Sequence, residues 1–409
     1  MRDNSLDKYR NKIFRCKGEK PWTTEASENC NLIVDVQPRG ASKIYWPEQA
    51  SGIYIPEESS EAIINSPEFV RILEDPEVEL KTEIKLAVKY TNLSENFDLS
   101  NDEIAEAIIK ERENEEKELE DDQENEDFQI DFLFKEYETL SKPEIDDENF
   151  VSKEINIADY NCKIPDYFLS LHKVKKLVST NVLLGFQRLS DGDENLEIKE
   201  TFNPARRQTP YLPCTQVSGE GIFVNFNFQK IDDWIGNNKE FIERSNKLKK
   251  NSKSDYLKTY HDLNFHPGYI LIHTFSHLLM LQLSLECGYS LTDLKEKLYF
   301  SPDHKMAGIL IYTASSDSQG SLGGLVRMIE PKYFENTFIN LINNSYVCSN
   351  DPICLESNGQ GYAGLDLAGC HACSMVPDLA CDTFPKNVFL DRMTLIGKSN
   401  NLNGYFNGV

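Results

Sequence analysis

Ala307-Gly308-Ile309-Leu310-Ile311-Tyr312 is an unbroken apolar run. A short run of this kind, rich in branched side chains, belongs in a strand covered on both faces. Upstream, Gly221-Ile222-Phe223-Val224-Asn225-Phe226-Asn227-Phe228 alternates at period two, and Asn181-Val182-Leu183-Leu184-Gly185-Phe186 reads as another strand; these two are expected to share a sheet. The apolar run ends in the small, polar, Gly-rich stretch Thr313 to Gly324, where a helix is expected to start. A strand, a Gly-rich loop and a helix N-terminus together form an anion-binding geometry.

Helices are expected around these strands: from Pro165 to near Lys176, as one long helix after Asp232, and from Leu291 to Tyr299, where Ser290 with Asp293 resembles a capping box. Pro267 to Leu285 is uncharged and nearly long enough to cross a bilayer. His273, Ser276, His277 and Gln282 would be costly in lipid, so the stretch reads as a buried core helix, with no membrane partner. An opening section carries strand signals at Cys30–Val36 and Gly52–Pro56, and residues 60 to about 142 turn helical. The fold class that follows is α+β (mixed α/β): a sheet-containing body, a helical acidic insert and a C-terminal Cys-rich region. The segments read as 1–60, strand-rich; 61–150, the insert; 151–260, mixed with a basic helix; and 261–409, C-terminal and zinc-binding.

The formal charge of -24 is unevenly spread. Residues 101–150 hold 21 acidic and 5 basic side chains, so this block alone carries -16 and the rest of the chain -8. Such a run reads as a solvated helix or linker, and it does not exclude nucleic acid as a partner elsewhere. Basic residues gather at Lys173, Lys175 and Lys176, at Arg206 and Arg207, and most densely from Arg244 to Lys258. In that last stretch Lys247, Lys249, Lys250 and Lys253 are the candidate phosphate contacts.

Five of the ten cysteines, Cys348, Cys354, Cys370, Cys373 and Cys381, cluster near the C-terminus around Cys370-His371-Ala372-Cys373. A Cys-x-x-Cys pair sets two thiolates on one turn, and a second pair completes the tetrahedral sulfur cage that zinc prefers. An odd number cannot pair fully as disulfides, and the polar start Met1-Arg2-Asp3-Asn4-Ser5 has no apolar signal core, which favours a cytoplasmic, metal-binding reading. Cys370 and Cys373 bind together, Cys381 and Cys354 are the favoured completion, and Cys348 or His371 are substitutes. A closed cage makes this zinc structural. Cys16 and Cys30 form half a metal site, while Cys162, Cys214 and Cys287 read as buried thiols.

His273 and His277 lie four apart on one helix face. Thr274 stands where a metalloprotease needs its Glu, so the favoured role is structural, bonded to the loop carrying Asp317 and Ser318. The competing reading is a hydrolase or nuclease built on His273, His277, Asp317 and Ser321. Gly320-Ser321-Leu322-Gly323 lacks the nucleophile-elbow pattern, and no Walker A lysine follows a Gly-rich loop.

Seven motifs occur in order: Cys16-Lys17-Gly18-Glu19-Lys20-Pro21-Trp22, Arg39-Gly40-Ala41-Ser42, Gly219-Glu220-Gly221-Ile222-Phe223, His273-Thr274-Phe275-Ser276-His277, Ala307 through Ala314, Gly320-Ser321-Leu322-Gly323-Gly324 and Cys370-His371-Ala372-Cys373. On these the chain resembles the DrmB family of the DISARM anti-phage system, over most of its length apart from the insert. Its last third resembles the zinc-binding domain of MrfA-type helicases. The resemblance implies zinc on Cys354, Cys370, Cys373 and Cys381, with Cys348 also in the pattern. It further implies a non-catalytic accessory subunit that works beside a DrmA-like helicase subunit in a complex engaging DNA. Lys43 departs from the family's Asn, and the cysteine-rich segment expected ahead of the Pro-Trp motif is not seen.

Overall fold

The apolar run at Ala307–Tyr312 lies in the inner strand of a hairpin, and that hairpin completes a seven-stranded antiparallel sheet. The computed structural model describes residues 15, 17, 46–56, 66–73, 75, 78, 81–97, 99–118, 124–161, 163–187, 212–252, 262–313, 324–383, 385–398 and 402–407. The strands are β1 (Trp46–Ile53), β2 (Glu144–Asp146), β3 (Val151–Ile155), β4 (Phe168–Gln187), β5 (Cys214–Phe226), β6 (Leu294–Ser301) and β7 (Met306–Thr313), in the order β2-β3-β4-β5-β7-β6. The 20-residue β4 is long enough for β3 to pair with its first half and β1 with its second. The longer helices are α1 (Pro67–Leu73), α2 (Lys81–Lys89), α3 (Asn101–Glu118), α4 (Glu124–Ser141), α5 (Phe228–Asn237), α6 (Glu240–Asn251), α7 (Pro267–Cys287) and α8 (Pro331–Ser345).

Alternation along the strands sorts side chains into two cores. Ile222, Val224, Phe226, Ile309 and Ile311 face α7 and α8, packing on Leu271, Phe275, Leu279, Phe334 and Phe338. Phe223, Leu310 and Tyr312 face the other way, against Tyr137 and Leu140 of α4. Both faces are covered, which is why β7 reads as a continuous apolar run. Gly219 permits the closest backbone approach: a Cβ there would sit 2.0 Å from the Thr313 carbonyl oxygen. Between Gly219 and Gly221, the buried Glu220 carboxylate accepts from the Leu325 N–H at 2.9 Å and from the Tyr289 hydroxyl at 3.0 Å.

The strands expected at 181–186 and 221–228 pair as β4 and β5. Three helical expectations are corrected. Pro165–Lys176 holds one helical turn, Ile164–Tyr167, before β4 begins. The helix after Asp232 is two helices, α5 and α6, broken around Asn238. Leu291–Tyr299 is mostly strand: β6 pairs with β7 from Leu294↔Thr313 to Ser301↔Met306. The Ser290 signal makes a turn instead, with the Asp293 N–H donating to the Ser290 carbonyl at 2.9 Å. Pairing wins because two adjacent charged residues of β6, Glu296 and Lys297, find buried partners on opposite sheet faces. Lys297 meets Glu136 of α4 at 2.6 Å, and Glu296 meets histidines of α7. The Gly-rich loop of the expected anion-binding geometry, 314–323, lies outside the described residues; the helix expected near Gly324 runs Gly324–Arg327, and its Leu325 N–H is held by Glu220.

Within the insert, α1, α2 and α3 share their own small core of Phe69, Ile72, Ile84, Val88, Ile104 and Ile108. Arg112, inside the acidic block, donates to the Ile72 carbonyl at 2.6 Å and the Leu73 carbonyl at 3.0 Å, closing the C-terminus of α1. Helix α7 is long and apolar enough to cross a membrane, yet it is mostly buried inside the fold, as expected of a core helix. The strand at Cys30–Val36, the Arg39–Ser42 motif, Cys16, Cys162, Arg206 and Arg207 lie outside the described residues. Cys214 is exposed and Cys287 half-buried, against the expectation of buried thiols.

Candidate metal centre

Two short turns bring four cysteines together. After α8, the Asp351 N–H returns to the Cys348 carbonyl and the Cys354 N–H to the Asn350 carbonyl, each at 3.0 Å. In the second turn the N–H groups of Cys373 and Ser374 both return to the Cys370 carbonyl at 3.0 Å. The sulfur separations are 3.6 Å for Cys348–Cys370, 3.8 Å for Cys354–Cys373 and 3.7 Å for Cys370–Cys373. A tetrahedral zinc with Zn–S bonds of about 2.3 Å holds its sulfurs about 3.8 Å apart, whereas a disulfide needs about 2.05 Å. The four sulfurs therefore fit a zinc cage and are not disulfides.

Polar hydrogens surround the cage. The Asn350 backbone donates to Cys348 Sγ, its side-chain amide to Cys370 Sγ, and the Gln360 amide to Cys354 Sγ, each at 3.4 Å. Burial works against ionisation of Cys370, but the bonds from Asn350 and the Ala372 backbone bring this thiol down to about 7. Arg392 is wholly buried nearby, donating to the Ser345 carbonyl at 2.9 Å and pairing with Asp351. Burial opposes the guanidinium charge, and Asp351, Cys373 and Cys354 more than offset that. Four thiolates on Zn²⁺ carry a net charge of about -2, so a buried cation beside the cage balances part of it.

The fifth cysteine of the cluster lies elsewhere. Cys381 Sγ is 3.6 Å from His273 Nε2 and 3.0 Å from Thr383 Oγ1, beside α7, and Cys348 occupies the fourth corner of the cage. Spacing alone put Cys381 ahead of Cys348; the chain turns away between Cys373 and Cys381, and the turn after α8 returns Cys348 instead. His371 is exposed and outside the group.

Helix α6 is fastened to this region. Arg244 makes a two-pronged ion pair with buried Asp391, at 2.7 and 2.9 Å, and Asn251 donates to the carbonyls of Asn358 and Gly364. Leu248 packs beneath, with Leu365, Leu367, Val388 and Phe389. Lys247, Lys249 and Lys250 remain on the exposed side, and the Lys247 ammonium reaches Asn358 Oδ1 at 3.3 Å. Lys253 lies outside the described residues. Lys173 is engaged with Glu330 at 2.6 Å and Lys176 with the Glu148 carbonyl.

His273 and His277 are fully enclosed, and their partners among the described residues include Glu296 and Cys381. Asp317, Ser318 and Ser321 lie outside the described residues. Glu296 has no local signature in the sequence, since it stands between Lys295 and Lys297 in Leu294–Ser301.

Residues 275–374 match the family model of the MrfA Zn-binding domain, a span that contains all four cage cysteines. The chain is 30% identical to the DISARM protein DrmB of Bacillus paralicheniformis over 418 aligned residues, covering 97% of this chain and 69% of that protein. Among solved structures, the DUF1998 helicase MrfA bound to DNA aligns with 50% of this chain and 22% of its own, at a TM-score of 0.28 and 10% identity, a likeness too slight to carry an argument. Zinc is the cofactor that the domain match and the sulfur geometry support together.

Proposed function

This chain belongs to the DrmB family, and from that premise we propose that it is a non-catalytic accessory subunit of a helicase-containing anti-phage defence complex, helping that complex hold DNA. The observation that carries the DNA part is the fastening of α6 to the zinc-bearing loops. Arg244 and Asn251 fix the helix, and Lys247, Lys249 and Lys250 are exposed cations on that rigid mount. Cations so placed neutralise phosphates without reading bases, the behaviour suited to a subunit that supports a helicase on varied sequences. The acidic block is confined to the insert, and the last two turns of α6 hold Lys247, Lys249 and Lys250 with no acidic residue.

The zinc cage supplies rigidity, and its four sulfur ligands leave no open position for substrate. The experiment is co-expression with a DrmA-like helicase subunit, followed by native mass spectrometry and DNA-binding titration. A stable complex that binds DNA more tightly than the helicase subunit alone is the expected result. No association, or association without any gain in DNA affinity, would overturn the proposal.

A further inference from the structure

His273, His277, Glu296 and Cys381 come from three separated parts of the chain and converge in a fully buried tetrad. His273 Nε2 and His277 Nε2 are 2.9 Å apart, and Glu296 Oε1 lies 3.3 and 3.1 Å from them. Cys381 Sγ closes the group at 3.6 Å from His273 Nε2, and all four ligand atoms lie within 4.8 Å of one another. We propose that this tetrad is a second, structural zinc site, distinct from the four-cysteine cage.

The geometry agrees with a tetrahedral ion. Zn–N bonds of about 2.0–2.1 Å and a Zn–S bond of about 2.3 Å place tetrahedral nitrogens about 3.3 Å apart and sulfur about 3.6 Å from nitrogen. The tautomer agrees as well. His277 Nδ1 is 2.9 Å from the Ser374 carbonyl, which can only accept, so Nδ1 carries the proton and the Nε2 lone pair points into the tetrad. With both imidazoles neutral, His273 can donate to His277, but the His277 lone pair then faces the Glu296 carboxylate with no hydrogen between them. A cation at the centre removes that repulsion.

One orphaned group points the same way. Among the described residues, Glu296 Oε2 is buried without a hydrogen-bond partner, an expensive arrangement for a carboxylate unless a metal binds it. Two neutral imidazoles, one carboxylate and one thiolate also neutralise Zn²⁺ fully, which suits a site whose residues are at most 3% exposed. With four protein ligands and no path to solvent, the ion would cross-link α7, β6 and the Cys381 loop and would not activate water. The match to the MrfA Zn-binding domain, 275–374, excludes His273 and Cys381, so it does not account for the group.

The test is zinc content by plasma mass spectrometry with zinc-edge X-ray absorption on the full-length protein. Expected are about two zinc ions per chain and a mean shell of about 2.5 sulfur and 1.5 nitrogen or oxygen atoms, with imidazole scattering. His277→Gln should lower the content to about one and leave a sulfur-only shell, while Cys370→Ser with Cys373→Ser should leave the nitrogen-rich ion. If either variant fails to fold, the wild-type spectrum decides. About one zinc per chain, or a wild-type shell of sulfur alone, would overturn the proposal.

Discussion

His277 donates its Nδ1 proton to the Ser374 carbonyl at 2.9 Å, and Ser374 directly follows the cage residue Cys373. One hydrogen bond thus joins the zinc-bearing turn to the centre of helix α7, on which the larger core is built. Loosening the cage should therefore be felt well inside the sheet-bearing body. Structural zinc supplies folding energy outright, because the unfolded chain has no preformed site. Cys370→Ser with Cys373→Ser is expected to speed hydrogen exchange both at residues 348–374 and across the middle of α7. Faster exchange confined to the cysteine turns would contradict this coupling.

Arg244 and Asp391 give a prediction about how α6 is held. Asp391 is almost wholly buried, so removal of Arg244 leaves a carboxylate with only the backbone N–H groups of Ala368 and Met393 as partners. Breaking a buried pair from one side costs about 3 kcal/mol. Arg244→Ala should therefore lower stability by roughly that amount in urea, whereas Lys249→Ala, exposed on the same helix, should stay within about 0.5 kcal/mol. Equal effects of the two would refute the assignment of inward and outward roles.

His172 predicts a pH dependence. It is fully buried in β4, packs on Phe223 and bonds Ser170 Oγ at 2.8 Å, and burial pulls its pKa down from 6.5 to about 4. The unfolded chain takes up this proton first as pH falls, so the native state loses stability between about pH 6.5 and about pH 4, and the contribution is complete above 6.5. His172→Leu should flatten that part of the profile, by up to roughly 3 kcal/mol at the acid end. Parallel profiles for wild type and variant in matched zinc would show that His172 is not the titrating group.

The pair formed by Lys297 and Glu136 ties β6 to α4 across the second face of the sheet. Glu136 also accepts from the Ile53 backbone at 2.8 Å and from the Tyr299 hydroxyl at 3.1 Å. Glu136→Leu alone strands a buried ammonium and should cost about 3–5 kcal/mol, while Glu136→Leu with Lys297→Met should recover much of it. Additive losses in a double-mutant cycle would show the two side chains to be energetically independent.

Periodicity made β5 and β7 legible, because the pattern that buries Ile222, Val224, Ile309 and Ile311 on one face and Phe223 and Leu310 on the other is written within each strand. The Cys-x-x-Cys turn was legible for the same local reason. Strand β6 was not: Leu294 to Ser301 carries charges whose partners, Glu136, His273 and His277, lie far off in sequence, and tertiary pairing overrides a local capping signal. The exchange of Cys348 for Cys381 in the cage and the convergence of Glu296 on the histidines likewise depend on which distant segments meet. Arg392, a buried cation beside the cage, has no signature in the sequence at all.

The most direct measurement is the salt dependence of DNA binding by the complex with its helicase subunit, comparing wild type with Lys247→Glu, Lys249→Glu and Lys250→Glu combined. Each phosphate contact contributes about 0.9 to the slope of log K against log salt on duplex DNA. The account predicts weaker binding, a slope shallower by roughly 2–3, and an unchanged zinc content and melting curve. Identical affinity and slope in a folded, zinc-loaded triple variant would contradict it.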